Sequence, residues 1–231
     1  MKKQQPIELK LHSLTLKADI GRYADPNGEP DYFRVRPISF TITDGDGYRI
    51  ADADLEEWRA TWTVNWNGED DYDGPNNELG AFAAMADERC GKTFEIADAI
   101  ADAWLEKYDE DNSHPFEKGN LVIFSELNIK ARTPEESTAV WTLIKKFLVD
   151  QFPPRRVSMI VLKAAPLRED YNASIYGNKT RALMRLYNRR INAVPFPDLP
   201  ERHDDGFMWI PVRDRFGPGE RRRTSFLTKR D

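Results

Sequence analysis

The most constraining feature of the sequence is a strand, a capped helix and a second strand that follow one another along the chain. Leu121 to Ala131 alternates as strands do, and it is apolar on most of both faces, which is typical of a central strand. Thr133-Pro134-Glu135-Glu136 then predicts a helix start, with threonine as N-cap, proline at the first helical position and Glu136 completing a capping box. Val157 to Ala164 is a second buried strand. Such a helical connection predicts that the two strands are parallel neighbours.

The other periodic segments predict the rest of the fold. The helix from Thr133 runs to about Phe152, with five residues on its core face: Val140, Leu143, Ile144, Phe147 and Leu148. Alternating segments predict four more strands, at Ile7–Leu16, Tyr32–Thr43, Trp58–Trp66 and Phe207–Val212, with a turn at Asp44–Gly47. Amphipathic segments predict helices at Asn77–Arg89, at Thr93–Tyr108 with Thr93 as its cap, and at Lys179–Arg190. Loops are expected at Asp170–Asn178 and Pro195–Asp205.

These elements predict a single α/β domain over residues 1–212, built on a mixed, mostly antiparallel sheet flanked by helices. Residues 213–231 form a basic C-terminal tail, which we expect to be mobile. That tail carries Arg221-Arg222-Arg223, so it is the one place where contact with nucleic acid or another acidic partner is expected. Elsewhere the net charge of -5 argues against a nucleic-acid-binding surface.

The composition indicates in which cellular compartment we expect the protein and whether we expect it to bind a metal. The single cysteine, Cys90, rules out an intrachain disulfide and is typical of a reducing compartment. Met1 to Leu11 has no apolar core of a signal peptide, and no window has the roughly 20 apolar residues that span a bilayer. We therefore expect a cytoplasmic protein without membrane contact. The histidines lack ligand spacing, so no metal site is predicted: His12, His114 and His203.

Three segments near the C-terminus have a familiar arrangement. Leu162–Leu167 leads into a helix that ends with Leu186 and Tyr187 followed by Asn188-Arg189-Arg190, and Gly206–Ile210 is a closing strand. Arg132 directly follows the central strand. In these residues the chain resembles the C-terminal half of the GNAT superfamily of N-acetyltransferases, over about residues 121–212. The resemblance implies a GNAT-like α/β fold and transfer of an acetyl group from acetyl-CoA to an unidentified amine.

The resemblance also implies roles for individual residues. Tyr187 corresponds to the general acid that protonates the leaving thiolate, and Glu126 to a carboxylate general base on the central strand. The backbone of Leu127, Asn128 and Ile129 corresponds to the segment that pairs with pantetheine. The turn with Arg132, Glu135 and Ser137 corresponds to the pyrophosphate loop. The acceptor is a small-molecule or protein amine, and a homodimer is left open.

Other interpretations stand beside these. Where the family has glycines in the pyrophosphate loop, this chain has Glu135 and Ser137, and the pair Glu135-Glu136 adds negative charge where phosphate would bind. Capping alone explains Thr133 to Glu136. Tyr187 also fits a core position on an amphipathic helix, and Glu126 also fits a structural ion pair. The second hypothesis for function is therefore an inactive binding or regulatory protein of GNAT fold that has lost the cofactor site.

Overall fold

The computed structural model describes residues 6–25, 33–61, 82–87, 89, 91–105, 116, 119–165, 173–196 and 205–212. The described strands are β1 Ile7–Leu11, β2 Leu14–Ile20, β3 Phe33–Thr43, β4 Arg49–Ala60, β5 Asn120–Ile129, β6 Val157–Lys163, β7 Val194–Pro195 and β8 Phe207–Pro211. The described helices with defined bounds are α1 Gly91–Leu105, α2 Pro134–Gln151 and α3 Ala173–Ile191, and residues 82–87 are also helical.

The eight strands form one sheet in the order β1-β2-β3-β4-β5-β6-β8-β7. All neighbouring pairs are antiparallel except β5 and β6, which are parallel and are joined by α2. This confirms the predicted α/β class, the mostly antiparallel sheet and the parallel pair. β5 has four strands on one side and three on the other, so its expected central place is also confirmed.

Helices cover both faces of this sheet. On one face, which we call the α2/α3 face, Phe40 of β3 stacks edge-on against Phe147 of α2, with ring centroids 5.2 Å apart. On the opposite α1 face, Trp58 of β4 packs edge-on against Phe82, with centroids 5.1 Å apart. Full burial of side chains of this size contributes roughly 1.5–3 kcal/mol each. All five predicted core residues of α2 are buried.

Two strand predictions were wrong in their bounds. The segment Ile7–Leu16 is not one strand, because the chain turns at His12, whose φ of 52° lies in the left-handed region, and separates β1 from β2. The strand predicted at Trp58–Trp66 begins much earlier, at Arg49, and residues 62–66 lie outside the described residues. Its first half is rich in Ala and Asp, which have low strand propensity. Pairing with β3 along its whole length outweighs that local preference.

Two helix starts also differ from prediction. Thr93 is not a cap, because α1 begins at Gly91, and the Thr93 hydroxyl is buried and donates to Glu56 Oε2 at 3.3 Å. The loop expected at Asp170–Asn178 is helical from Ala173, because α3 begins there. Gly177 costs a helix only about 1 kcal/mol relative to alanine. Burial of the apolar face of a long amphipathic helix stabilises it by more than that.

The remaining predicted segments are covered in part. The turn at Asp44–Gly47 is confirmed, with Gly47 N donating to Asp44 O at 3.1 Å. Of the helix predicted at Asn77–Arg89, residues 82–87 and 89 are helical and residues 77–81 lie outside the described residues. Most of the expected loop at Pro195–Asp205 and the whole of the predicted tail, 213–231, lie outside them as well.

Candidate functional site

A β-bulge in β5 organises the candidate site. Asp54 of β4 lies opposite Glu126 while the next residue, Leu55, lies opposite Phe124, so Ser125 is an extra residue without a partner on β4. A bulge reverses the side-chain alternation beyond it. Regular alternation along Leu121 to Ala131 would put Leu121, Ile123, Leu127 and Ile129 on one face. Instead the first half of β5 presents Leu121 and Ile123 to the α1 face, and the second half presents Leu127 and Ile129 to the α2/α3 face.

The parallel pairing of β5 with β6 stops at the same place. Its last paired residues are Phe124 and Leu162, after which β6 continues for one residue and β5 for five. On the other side, Lys130 N donates to Ile50 O at 2.7 Å, which continues the β4–β5 ladder. In an antiparallel ladder alternate residues bond to the partner, so the N–H and C=O groups of Leu127 and Ile129 point away from β4. Those groups form a strand edge on the β6 side.

The start of α2 lies just beyond this edge, and most of its amides are already engaged. Thr133 is the N-cap, with φ -129° and ψ 158°, and its Oγ1 accepts from Glu136 N at 3.1 Å. The Glu136 carboxylate accepts from Arg132 N at 2.5 Å, one residue before the N-cap, and Ser137 N donates to Thr133 O at 2.9 Å. Pro134 has no N–H. The capping interpretation is confirmed, and the predicted pyrophosphate loop offers few amides to a ligand.

The side chain of Arg132 points toward another part of the fold. Its guanidinium lies over the ring of Tyr48, 4.1 Å from the centroid, and 3.7 Å from Asp44 Oδ2 in the β3–β4 turn. The Asp44 carboxylate in turn accepts from the backbone N–H groups of Asp46 and Tyr48. Arg132 therefore holds the β3–β4 turn against the start of α2.

Tyr187 lies on the α2/α3 face, the same face as Leu127 and Ile129. It is 9% exposed, and its ring packs edge-on against Trp141 of α2 with centroids 5.9 Å apart. Burial raises the pKa of the Tyr187 hydroxyl above its usual value, so the group is protonated at neutral pH. The ring of Tyr187 therefore occupies a core position, as one of the two interpretations expected. Its hydroxyl carries the proton that a general acid would donate.

Glu126 faces the opposite side of the sheet. It and Asn128 point to the α1 face, directly across the ladder from Asp54 and Asp52. Glu126 is half-buried. Like charges opposite one another on a sheet destabilise it, so these carboxylates favour a cation nearby. The fold thus brings Leu127 and Ile129 to the face that also holds Tyr187, and Glu126 with Asn128 to the other face. These four residues of β5 all lie beyond the last β5–β6 pair.

A buried charge cluster lies at the opposite end of β5 and was missed by sequence reasoning. Glu57 of β4 is fully buried and accepts from Arg36 Nε at 2.9 Å and from Asn120 Nδ2 at 2.6 Å. Arg156 Nε lies 3.1 Å from Glu57 Oε1, the oxygen that accepts from Asn120, and Asn120 also donates to the hydroxyl of Tyr23. Counting back from the Thr43–Arg49 pair beside the turn places Arg36 opposite Glu56, and only the register shift between Ile42 and Thr43 brings Glu57 opposite Arg36, so the sequence pattern did not reveal this ion pair.

A second feature that sequence reasoning passed over is the charge of α3. Its sequence contains five basic residues and no acidic one: Lys179, Arg181, Arg185, Arg189 and Arg190. Three of them, Arg181, Arg185 and Arg189, are exposed and recur every four residues, so they form one stripe. The composition of this segment alone could have shown it.

Two searches of the described residues give negative results. None of their helices is long and apolar enough to cross a membrane. Among those same residues, no three or more His, Cys, Asp or Glu side chains come together as a metal ion would require. Comparison of the chain with protein-family models, with curated proteins and with solved structures returns no match.

Proposed function

We propose that the chain is a GNAT-like N-acyltransferase that moves an acetyl group from acetyl-CoA to an amine. The observation that carries this proposal is the strand edge of Leu127 and Ile129, which starts at the Ser125 bulge where β5 and β6 cease to pair. A pantetheine arm contains two amides in an extended chain. Such a chain adds to an exposed strand edge through main-chain hydrogen bonds, as peptides do.

The proposed reaction uses the two faces of the sheet. The amine nitrogen attacks the thioester carbonyl, so that a C–N bond forms and the C–S bond breaks. Glu126 takes the proton lost by the amine, and Tyr187 donates a proton to the leaving thiolate. The products are an amide and free CoA. Glu126 and Tyr187 lie on opposite faces of the sheet. The thioester therefore has to lie beyond the last β5–β6 pair, where β5 no longer pairs with β6 and both faces can be reached.

The charge of the α1 face supports a basic acceptor. Asp52 and Asp54 of β4 and Glu126 of β5 share this face, and Asp54 is exposed. These carboxylates attract a protonated amine, and Glu126 then accepts its proton. Tyr187 on the other face has its pKa raised by burial and retains its proton at neutral pH.

Ligand binding tests the first step. Titration of the full chain with acetyl-CoA should raise the unfolding temperature, because a ligand that binds only the native state stabilises it by RT ln(1 + [L]/Kd). Release of free thiol in the presence of a panel of amines then measures turnover. No rise in unfolding temperature at millimolar acetyl-CoA would contradict the proposal.

Two substitutions test the assigned roles. Glu126→Gln and Tyr187→Phe should each lower kcat by about 10²–10⁴-fold with little change in acetyl-CoA affinity, which is the usual contribution of a general acid or base. Tyr48→Phe is the matched control, because Tyr48 is exposed on the β3–β4 turn. Unchanged turnover in Tyr187→Phe would remove the hydroxyl from the mechanism.

A second candidate function is a binding or regulatory protein with this fold and no acyl donor. One observation favours it: three backbone N–H groups around the start of α2, those of Arg132, Glu136 and Ser137, already have acceptors within the protein. Under this hypothesis acetyl-CoA produces neither stabilisation nor thiol release. The same titration therefore separates the two functions.

A further inference from the structure

The first turn of α2 is a poor place for phosphate. Pro134 has no N–H, Glu136 N and Ser137 N both donate to Thr133, and the only charged side chains of this turn, Glu135 and Glu136, are both negative. A donor that carries several phosphate charges would be repelled there. If the proposed acyl donor binds along β5, another part of the chain has to neutralise its nucleotide end.

α3 has the charge that α2 lacks. It holds five basic residues and no acidic one, in a chain whose net charge is -5. Arg181, Arg185 and Arg189 follow one another at four-residue intervals, about 6 Å along the helix axis for each step. All three are exposed, and Arg189 Nε donates to the carbonyl oxygen of Arg185 at 3.3 Å.

The C-terminal turn of α3 packs beside the start of α2. Arg190 Nη1 lies 3.4 Å from Thr138 Oγ1, one turn into α2, and the Tyr187 ring packs edge-on against Trp141. Arg189 and Arg190 therefore stand next to the place where a pantetheine arm on Leu127 and Ile129 would leave the sheet.

We infer that the phosphate groups of the acyl donor bind to guanidinium groups of α3, from Arg185, Arg189 and Arg190, instead of to amides of α2. This inference rests on the proposed function and identifies the donor as one that carries a phosphorylated nucleotide. Arginine suits the task because its planar fork bonds two phosphate oxygens at once. The alternative is structural: basic residues in a last turn also favour the helix dipole.

The test compares two probes on the full chain by calorimetry. CoA carries the phosphates, and pantetheine is the same arm without them. The unaltered protein should bind CoA at least about tenfold more tightly than pantetheine, because only CoA can form charge-assisted hydrogen bonds from its phosphates to the guanidinium groups. Raising the salt concentration from about 0.05 M to about 0.5 M should weaken CoA binding and leave pantetheine binding unchanged.

Substitutions then locate the phosphates. Arg189→Gln/Arg190→Gln should weaken CoA binding about tenfold or more and change pantetheine binding by less than about twofold. Arg59→Gln/Arg155→Gln is the control, because it removes the same charge from two exposed arginines elsewhere. Arg185→Gln/Arg189→Gln repeats the test without disturbing the Arg190–Thr138 contact, and the same loss of CoA affinity is expected.

The outcomes are separable. If the unaltered protein binds CoA and both α3 double variants bind it as tightly as the control, the inference is wrong and the proposed function stands. If the unaltered protein binds neither CoA nor pantetheine, the proposed function is wrong and the inference falls with it.

Discussion

Arg36 lies directly opposite Glu57 in the β3–β4 ladder, and its Nε donates to the Glu57 carboxylate at 2.9 Å. The carboxylate is fully buried, so it is a charge that the fold has to compensate completely. Asn120 at the start of β5 and Arg156 just before β6 contact the same carboxylate. One side chain therefore links four successive strands at the end of the sheet away from the candidate site.

Loss of this carboxylate should be strongly destabilising. Glu57→Ala leaves two guanidinium groups without their buried partner, and breaking a buried pair costs about 3–5 kcal/mol. We expect a loss of that size in urea unfolding at neutral pH. Asp54→Asn, at an exposed position of the same strand, should change stability by no more than about 0.5 kcal/mol. Equal effects of the two substitutions would show that the cluster contributes nothing.

Gly206 should tolerate no side chain. Its φ is 81°, and a Cβ there would lie 2.6 Å from Ala164 O and 2.8 Å from Thr180 Cγ2. The left-handed conformation alone costs an L-residue roughly 1–2 kcal/mol, and the contact with a backbone oxygen adds to it. Gly206→Ala should therefore lower the free energy of unfolding by more than about 2 kcal/mol. Gly45→Ala, where the nearest atoms are 4.0 Å away, is the control and should stay close to the unaltered protein.

The N-cap of α2 gives a smaller effect. Thr133→Ala removes the acceptor of Glu136 N and should destabilise the protein by about 1 kcal/mol. Thr142→Ala makes the same chemical change at an exposed position inside the helix, where alanine has the higher helix propensity. Thermal unfolding should thus show a lower Tm for the first variant and an equal or higher Tm for the second. A reversed order would exclude capping as the role of Thr133.

The buried hydroxyl of Tyr187 should make stability depend on alkaline pH. Burial raises its pKa in the folded state above the value of about 10 in the unfolded chain, so the folded state retains the proton to higher pH. Stability from this group is fully present below about pH 10 and is lost as pH rises through the folded pKa. Tyr187→Phe should therefore show a shallower fall in unfolding free energy between about pH 9 and 11.

Tyr23 adds to the alkaline dependence. Burial and the nearby Glu57 carboxylate raise its pKa as well, so some decline remains in Tyr187→Phe. Urea midpoints measured at several pH values for both proteins check the prediction. Parallel curves would mean that Tyr187 ionises equally easily in the folded and unfolded states.

Local patterns predicted the C-terminal half well. The alternation of Leu121–Ala131, the Thr133-Pro134 helix start and the run Val157–Ala164 each act within a few residues, and the structure has β5, α2 and β6 there. The prediction failed where distant partners decide. Arg49 to Glu57 is polar and weak in strand propensity, and it is a strand because β3 and β5 pair with it on either side.

The candidate site divides in the same way. The sequence by itself determined the capped helix, the parallel connection and the position of Tyr187 on the inward face of α3, because these depend on residues close together in the chain. Only the tertiary structure decided that Ser125 bulges from β5, that Leu127 and Ile129 thereby change faces, and that Arg190 lies against Thr138. A bulge is defined by the register of two strands, and a single strand carries no record of its partner.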